Sequence, residues 1–318
     1  MSEISSIPET ETSLLPKFPA AEQTPTSSIG KSILSLLIYL AAGYWLFRDV
    51  STLLMITFVI LLHEGGHFIA MRWVGYKDLG VFFLPLIGAY VSGNKRVITQ
   101  RESAWVLLAG PLPGILLGLG VWYLLKIGYV PSIGPAGINL NSLAFLLIIL
   151  NSSNLLPIFP FDGGQLLNRV FLDEEGIISN LFVILSALIL GYLAIQFKMY
   201  PLLIFPIGLL FRLWKSRAAQ RIEKRIEESQ INTEVSYAEL PDADYWQIRR
   251  ILIEDDRSCR NWAGEHLNDY SPQEASIQQA VEGQLHRTLV QDLSVSAKCL
   301  IAALWILALF VPFWLWLR

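Results

Sequence analysis

The chain has 318 residues, of which 53% are hydrophobic and only 16% are charged, and its mean hydropathy is +0.47. A soluble globular domain usually carries about 25% charged residues, so this composition excludes an ordinary water-soluble protein and predicts a membrane protein with several spans. The net charge of -3 provides no basic surface for DNA or RNA, which excludes nucleic acid as the main partner.

Residues 1–31 form a polar N-terminal tail that is rich in Ser, Thr, Pro and Glu. The tail has no apolar periodicity and too little apolar surface to offset the entropy of ordering, so it is predicted to be disordered. It also lacks the positively charged start and the apolar run of a secretory signal peptide.

Seven apolar runs follow the tail, and each is predicted to be a transmembrane helix. A helix needs about 20 residues, and at least about 17, to cross the hydrocarbon core of a bilayer. The first and the sixth run fit this requirement least well, because both are short and the sixth contains Pro201 and Pro206. The runs lie at residues 32–48, 52–71, 103–126, 140–160, 177–197, 200–214 and 299–317.

The segment from Asp78 to Gly93 is apolar but does not fit a spanning helix. Pro85 and Gly88 interrupt it, and Val, Phe and Tyr are prominent in it. These residue types favour strands, so the segment is predicted to be β-like.

Residues 215–297 are the one long polar stretch of the chain. Its first part is predicted to be an exposed helix that continues from the membrane, with opposite charges three or four residues apart. The rest contains spaced apolar residues, including Trp246, Ile251 and Trp262, which suit a small helical bundle; a solvated tether is the alternative. Most Lys and Arg residues in the short flanks lie on the cytoplasmic side if the N-terminus, the loop 72–101 and residues 215–297 are cytoplasmic.

The second apolar run contains the sequence His63-Glu64-Gly65-Gly66-His67. Residues four apart share one face of a helix, so both imidazoles are expected to point the same way, with Glu64 beside them. This pattern is typical of two zinc ligands and a general base. A carboxylate inside a span costs about 2.5–3.5 kcal/mol on insertion scales, and a bound metal would offset that cost. The alternative is a hydrogen-bonded His–Glu–His cluster that holds helices together.

A catalytic zinc site usually has three protein ligands, so the chain must supply one more. Asp162 differs from the other candidates because it follows an apolar stretch whose prolines prevent a regular helix. Irregular backbone at membrane depth needs partners inside the protein or in a wet cavity, so a lone carboxylate there predicts a binding site. Asp162 could also cap the helix that follows it. The candidates are Asp78, Glu102, Asp162, Asp173, Glu174 and Glu175.

These motifs together resemble the site-2 protease family of intramembrane zinc metalloproteases. The resemblance rests on the HEGGH sequence, on Asn154-Leu155-Leu156-Pro157 and on Asp162-Gly163, and it covers about residues 50–175. It implies that His63, His67 and Asp162 bind one Zn²⁺ ion per chain and that Glu64 is the catalytic acid/base. It also implies that Asn154 helps to hold the substrate chain or the active-site loop.

The resemblance further implies a core of three spans, at residues 52–71, 103–126 and 140–160, with the zinc nearer the cytoplasmic side. Residues 81–90 resemble the membrane-embedded sheet of the family, and we expect them to pair with an unwound substrate by strand addition. An interfacial loop with apolar anchors is the alternative. Proline at Phe83 or Ile87 is expected to distinguish the two, because it should impair cleavage only if a strand is needed.

The third apolar run departs from the family pattern, which often reads Gly-Pro-x-x-Asn. Here the sequence is Gly110-Pro111-Leu112-Pro113-Gly114, so a polar contact between helices is expected to be missing. Gly65 and Gly66 predict the close approach of a neighbouring helix. The small residues Gly110, Gly114, Gly118 and Gly120 predict tight span packing, whereas Trp305, Trp314 and Trp316 are expected to be interface anchors.

The predicted fold class is an all-α multi-span membrane protein with about seven transmembrane helices, a short membrane-embedded β-like segment and a cytoplasmic helical insert. Its predicted parts are the tail 1–31, a six-span protease core at 32–214, the cytoplasmic region 215–297 and a last transmembrane helix at 298–318. The predicted function is zinc-dependent cleavage of transmembrane protein substrates in a cell (inner) membrane. A non-proteolytic metal carrier or scaffold and a signalling module built on residues 215–297 are the alternatives.

Overall fold

The computed structural model describes residues 15–19, 28–85, 88–95, 97–172, 177–285 and 289–316. The chain divides into two compact units, which we name the apolar unit (residues 24–213 and 287–318) and the bundle unit (residues 1–23 and 214–286). The apolar unit contains, in chain order, helices α1 (Ser28–Phe47) and α2 (Val50–Trp73), strands β1 (Lys77–Leu84), β2 (Gly88–Asn94) and β3 (Ile98–Thr99), helices α3 (Gln100–Ala109), α4 (Pro111–Lys126), α5 (Leu140–Asn154), α6 (Asp162–Leu166) and α7 (Ile177–Gln196), strand β4 (Leu289–Val290) and helix α12 (Val295–Trp316). Helix α8 (Ile204–Glu228) contributes residues to both units, and the bundle unit continues with α9 (Asp242–Asp255), α10 (Arg257–Ala263) and α11 (Glu274–Gln284).

All seven predicted apolar runs are helical for most of their length. Within the ranges that the structure describes, four helical segments are long and apolar enough to cross a membrane. These four segments are Val50–Trp73, Gln100–Lys126, Ile177–Gln196 and Val295–Trp316. The apolar parts of the other three, Gly30–Leu46, Leu140–Asn154 and Tyr200–Phe211, are shorter, so seven spans stay a prediction.

Two of the predicted spans are interrupted at residues that matter for the site. The run 103–126 is divided into α3 and α4 at Gly110, and Pro111 occupies the first position of α4. Proline suits that position because its nitrogen has no hydrogen to leave unpaired. The run 140–160 is helical only to Asn154, and the chain then continues irregularly until Asp162.

The predicted β-like segment is an antiparallel hairpin of β1 and β2. Val81 lies opposite Val91, and Phe83 lies opposite Ala89. Phe83 is buried against α1 and α2, and its backbone N–H donates a 3.1 Å hydrogen bond to Ser35 Oγ of α1. The strand prediction is therefore confirmed, while Ile87 lies outside the described residues.

The bundle unit has a hydrophobic core of its own, to which helices α8, α9, α10 and α11 contribute. Ile222 and Ile226 of α8 are buried in this core, so one side of the helix that was predicted to be exposed is covered. Disorder was also predicted too widely, because residues 15–19 lie ordered against this unit. Phe18 packs against its core, and the Trp246 indole donates a 2.6 Å hydrogen bond to the Leu15 carbonyl.

The tryptophans of α12 make internal contacts that the sequence did not predict. Trp305 packs against the core around Leu155, and its indole N–H donates a 2.7 Å hydrogen bond to the Leu155 carbonyl. The ring of Trp316 lies 6.2 Å from that of Trp122, between ring centres. These two side chains therefore pack within the protein, and Trp305 supports the chain where α5 ends.

Candidate metal centre

Helix α2 carries three of the predicted site residues. The Asp49 side chain caps the N-terminus of the helix. It accepts hydrogen bonds from the backbone N–H groups of Ser51 and Thr52, which have no partner within the helix. The helix then continues to Trp73, so the HEGGH sequence lies in its interior. His63, Glu64 and His67 are all buried, and 7% of the surface of each residue is exposed.

The two glycines of this motif have different surroundings. A Cβ atom at Gly66 would lie 2.0 Å from the Ala109 carbonyl oxygen, so only glycine allows α3 to approach α2 this closely. A Cβ atom at Gly110 would lie 2.3 Å from His67 Nε2, so glycine there leaves room for the imidazole. At Gly65 no described atom lies within 4 Å of such a Cβ. The predicted helix approach is thus confirmed for Gly66 but not for Gly65.

Asp162 reaches the histidines because the chain folds back between α5 and α6. Cβ atoms at Gly163 and Gly164 would lie 2.0 Å from the Leu155 carbonyl oxygen and 2.3 Å from the Ile158 carbonyl carbon, so both positions need glycine. Asp162 is the first residue of α6 and 8% exposed, and the residue that caps this helix is Phe161, without a side-chain hydrogen bond. The capping role considered for Asp162 is therefore not observed.

The structure brings Asp162, and not the other carboxylates considered, to the histidine pair. Asp162 Oδ2 lies 3.1 Å from His63 Nε2 and 3.3 Å from His67 Nε2. Glu102 instead caps α3 and forms a 2.7 Å ion pair with Lys95. Asp78 lies exposed on β1. The run Asp173, Glu174 and Glu175 lies outside the described residues.

The hydrogen-bond partners of the two Nδ1 atoms determine which ring nitrogen of each histidine carries the hydrogen. His63 Nδ1 lies 2.9 Å from Asn151 Oδ1, and the amide nitrogen of that same Asn151 donates to the Leu147 carbonyl at 2.8 Å. His67 Nδ1 lies 2.8 Å from the Val106 carbonyl oxygen. Both partners are acceptors, so both Nδ1 atoms carry the hydrogen and each neutral ring presents a lone pair at Nε2.

Three lone pairs therefore converge, because Asp162 Oδ2 is buried without a hydrogen-bond donor. The two Nε2 atoms lie 3.1 Å apart, so every edge of this triangle measures 3.1–3.3 Å. Zinc bonds of about 2.0–2.1 Å in tetrahedral geometry place neighbouring ligand atoms about 3.3 Å apart. Two imidazoles and one carboxylate thus fit a divalent cation such as zinc, and no other metal-ligand group of three or more is found in the ranges that the structure covers.

Asn151 is the site residue that the sequence reasoning missed. It is 1% exposed in the last turns of α5, and a Cβ atom at Gly114 of α4 would lie 2.2 Å from its amide nitrogen. The glycine in the third run, which suggested a missing polar contact, instead leaves space for an amide that α5 supplies. The signal in the sequence was a polar residue inside an apolar run, three positions before Asn154.

The cluster faces a cavity of about 930 Å³ within the apolar unit. Glu64 lines this cavity beside the metal-ligand set, as does Val91 of β2. Asn154 lies on the wall of the same cavity, as do residues 88–93. The three metal ligands, the Glu64 carboxylate and strand β2 therefore line one cavity, which is large enough for a peptide segment.

Comparisons with known proteins find similarity in the part of the chain that contains the HEGGH sequence. Residues 51–133 match Peptidase family M50. The chain is 30% identical over 122 residues to stage IV sporulation protein FB of Bacillus subtilis, which covers 38% of this chain and 41% of that protein. It is 28% identical over 132 residues to a zinc metalloprotease of Methanocaldococcus jannaschii, which covers 41% of this chain and 37% of that protein.

A solved site-2 protease from Methanocaldococcus jannaschii matches with a TM-score of 0.41 and 22% identity, over 56% of this chain and 84% of that chain. The chain spans about two fifths of the length of the curated relatives that it matches. The segment that matches Peptidase family M50 contains the HEGGH sequence. The resemblance predicted from the motifs is thereby confirmed, and the particular relatives are a sporulation protein and a zinc metalloprotease.

Proposed function

We propose that this protein is an intramembrane zinc metalloendopeptidase that cleaves transmembrane segments of other membrane proteins. One Zn²⁺ ion per chain is held by His63, His67 and Asp162. The observation that carries the proposal is the convergence of three buried lone pairs next to Glu64 in one cavity. Zinc in such a site polarises a carbonyl group and makes a water molecule nucleophilic near neutral pH.

Glu64 acts as the general acid and base. It accepts a proton from the attacking water as the water oxygen bonds to the peptide carbonyl carbon, and it then gives that proton to the amide nitrogen as the C–N bond breaks. Glu64 lines the same cavity as the three metal ligands, so it can exchange a proton with groups that bind there.

The free edge of β2 binds the substrate as an added strand. In an antiparallel pair, alternate residues direct their backbone groups toward the partner strand or away from it. The Phe83 N–H points away from β2, toward Ser35, so Ala89 opposite it and Val91 two residues further on direct their groups away from β1. Ala89 and Val91 both line the cavity, and β1 is the only strand that pairs with β2 among the residues described.

A substrate helix must unwind before its amides can be reached, and strand addition satisfies the amides that unwinding exposes. Asn154 contributes an amide side chain to the wall of the same cavity, where it can hydrogen-bond to the substrate backbone. The edge of β2 and Asn154 would thus hold the extended segment across Glu64.

The wider topology also belongs to this proposal. The chain crosses a cell (inner) membrane seven times, its N-terminus is cytoplasmic, and residues 215–297 form a cytoplasmic insert before the last span at 298–318. The excess of Lys and Arg on the assigned cytoplasmic flanks supports this orientation. Reporter fusions at the exposed Tyr129 between α4 and α5, and at residue 230 in the bundle unit, should report opposite sides.

A comparison of two variants tests the proposed activity. Glu64→Gln should retain zinc but accumulate uncleaved membrane precursors in cells, whereas His63→Ala should lose both zinc and cleavage. The exposed Glu227→Gln serves as the matched control and should behave as the wild type. Unchanged peptide fragments in the Glu64→Gln cells would refute the assignment, and zinc binding without any Glu64-dependent fragment would favour the carrier or scaffold.

A further inference from the structure

The bundle unit holds a five-residue segment of its own chain in the manner of a bound peptide. Residues 15–19 read Leu-Pro-Lys-Phe-Pro and form neither helix nor strand. The two prolines have fixed φ angles, and each restricts the residue before it to extended backbone. A segment of this composition loses little conformational freedom when it binds.

The side chain of Lys17 enters a pocket of backbone oxygens. Its ammonium group donates to the carbonyls of Tyr237, Ala238 and Leu240 at 2.9, 2.7 and 2.6 Å. An ammonium group has three donors, so all three are satisfied. The same group lies 5.6 Å from the centre of the Tyr237 ring, and the Lys17 backbone N–H donates to Asp242 Oδ1 at 3.0 Å.

Three aromatic side chains bind the backbone of the same segment. The Trp246 indole donates to the Leu15 carbonyl at 2.6 Å, and the Tyr237 hydroxyl donates to the Phe18 carbonyl at 2.6 Å. The Tyr270 hydroxyl donates to the Pro16 carbonyl, and the Tyr270 ring packs edge-on against Phe18 with 5.4 Å between ring centres. An aromatic wall that donates to the carbonyls of an extended, proline-containing peptide is a known mode of peptide recognition.

A buried ion pair holds this aromatic wall in place. Arg249, which is fully buried, donates to both oxygens of Glu274, at 2.7 and 2.9 Å. The same guanidinium donates to the carbonyls of residues 266, 267 and 269 and lies 4.8 Å from the Trp246 ring, which stacks on Tyr270. Burial alone raises the pKa of Glu274, but the hydrogen bonds from Arg249, the Ser271 N–H and Tyr245 lower it overall, so the pair is charged at neutral pH.

We propose that the bundle unit is a peptide-binding module that recognises a lysine in an extended, proline-flanked segment, and that its occupant is residues 15–19 of its own chain. The carbonyl pocket selects lysine, because the planar guanidinium of arginine cannot direct three donors to it and an acetylated lysine has only one donor. This site is separate from the proposed protease centre, and its occupation does not depend on zinc or on cleavage.

The test uses the full chain in detergent micelles with Glu64→Gln, so that cleavage plays no part. The probe is a fluorescein-labelled peptide of residues 12–21, and its anisotropy measures binding. Two forms free the site: deletion of residues 1–22, and Lys17→Glu in the otherwise intact chain, which keeps Phe18 in case its loss unfolds the unit. Both should bind the probe at least about tenfold more tightly than the intact chain, whose own segment competes at high effective concentration.

Probe variants test which group is recognised. Peptides with arginine or acetyl-lysine in place of the lysine should bind at least about tenfold more weakly to the freed forms, since each loses hydrogen bonds to the carbonyl pocket. Tyr270→Phe in the freed chain should also weaken binding, whereas Tyr129→Phe in the apolar unit should not. The proposal is overturned if neither freed form binds the probe, if the intact chain binds it equally well, or if acetyl-lysine and scrambled peptides bind as tightly.

Discussion

Replacing Asn151 by Ala should weaken metal binding although Asn151 is not a ligand. The substitution removes the acceptor of the His63 Nδ1–H bond and leaves that hydrogen without a partner at a buried position. The imidazole then loses the contact that sets its tautomer and its orientation toward Asp162. We therefore expect the protein to fold and to bind zinc weakly.

The size of the effect follows from two separate arguments. Loss of a hydrogen-bond partner of a metal-ligating histidine typically lowers metal affinity by about 10- to 100-fold. This range corresponds to about 1.4–2.8 kcal/mol. An unsatisfied buried donor costs about 1–3 kcal/mol, which agrees with the same range.

Competition against a chromophoric zinc chelator in detergent micelles measures this effect. Asn141→Ala is the matched control, because Asn141 is exposed in the first turn of the same helix. The control should bind zinc as the wild type does. If Asn151→Ala stays within twofold of the wild type, the tautomer argument for the site is wrong.

A compensating exchange makes the test sharper. Gly114→Asn alone should destabilise the protein, since a Cβ atom there would lie 2.2 Å from the Asn151 amide nitrogen. Gly114→Asn combined with Asn151→Gly removes that collision and supplies an amide from α4 instead of α5. Zinc affinity and thermal stability of the double variant should exceed those of Gly114→Asn, and a double variant no better than the single one would contradict the packing described.

Five further variants test other parts of the structure. Gly66→Ala should lower thermal stability and zinc retention because of its collision with α3, whereas Gly65→Ala should be neutral or raise helix stability by up to about 1 kcal/mol in thermal unfolding. Ala89→Pro removes an edge N–H without touching the β1 ladder, so cleavage in membranes should fall while zinc content stays constant; normal cleavage would favour the interfacial loop. The folded pKa of Glu274 lies below its ordinary value of 4.5, so its contribution to stability is present above that pH and is lost as the pH falls through the folded pKa. Hydrogen exchange in α11 should therefore accelerate below about pH 4.5 in the wild type, and Glu274→Gln should already exchange fast at neutral pH. Trp305→Phe removes one hydrogen bond to the chain after α5 and should cost about 1 kcal/mol in unfolding experiments, with no loss if the indole only anchors in lipid.

The shared face of His63 and His67 could be predicted from the sequence because the HEGGH motif is local. The spacing of His63 and His67 determines a shared helix face, and a carboxylate inside an apolar run already requires a special environment. Asp162 was predictable for a related reason, since the prolines in the stretch before it exclude a regular helix there. In each case the decisive property lies within a few residues of the chain.

Other features depend on how distant elements pack, and the sequence did not reveal them. Asn151 is a contact only because α5 lies against α2 in one particular register, and no local pattern specifies that register. The docking of Lys17 was hidden for the opposite reason. Its segment resembles a disordered tail in composition, and the partners that order it lie more than 200 residues further along the chain.

The two histidines differ in how open they are to change by mutation. The Nδ1 atom of His67 is hydrogen-bonded to the main-chain oxygen of Val106, which every amino acid at that position would provide. The Nδ1 atom of His63 is hydrogen-bonded to the side chain of Asn151. The hydrogen bond of His67 is thus kept when residue 106 is substituted, whereas the hydrogen bond of His63 is lost when Asn151 is replaced by a residue without an acceptor. Substitution of Asn151 should therefore change the affinity of the site for its metal ion, or its preference among metal ions, while all three ligands stay in place.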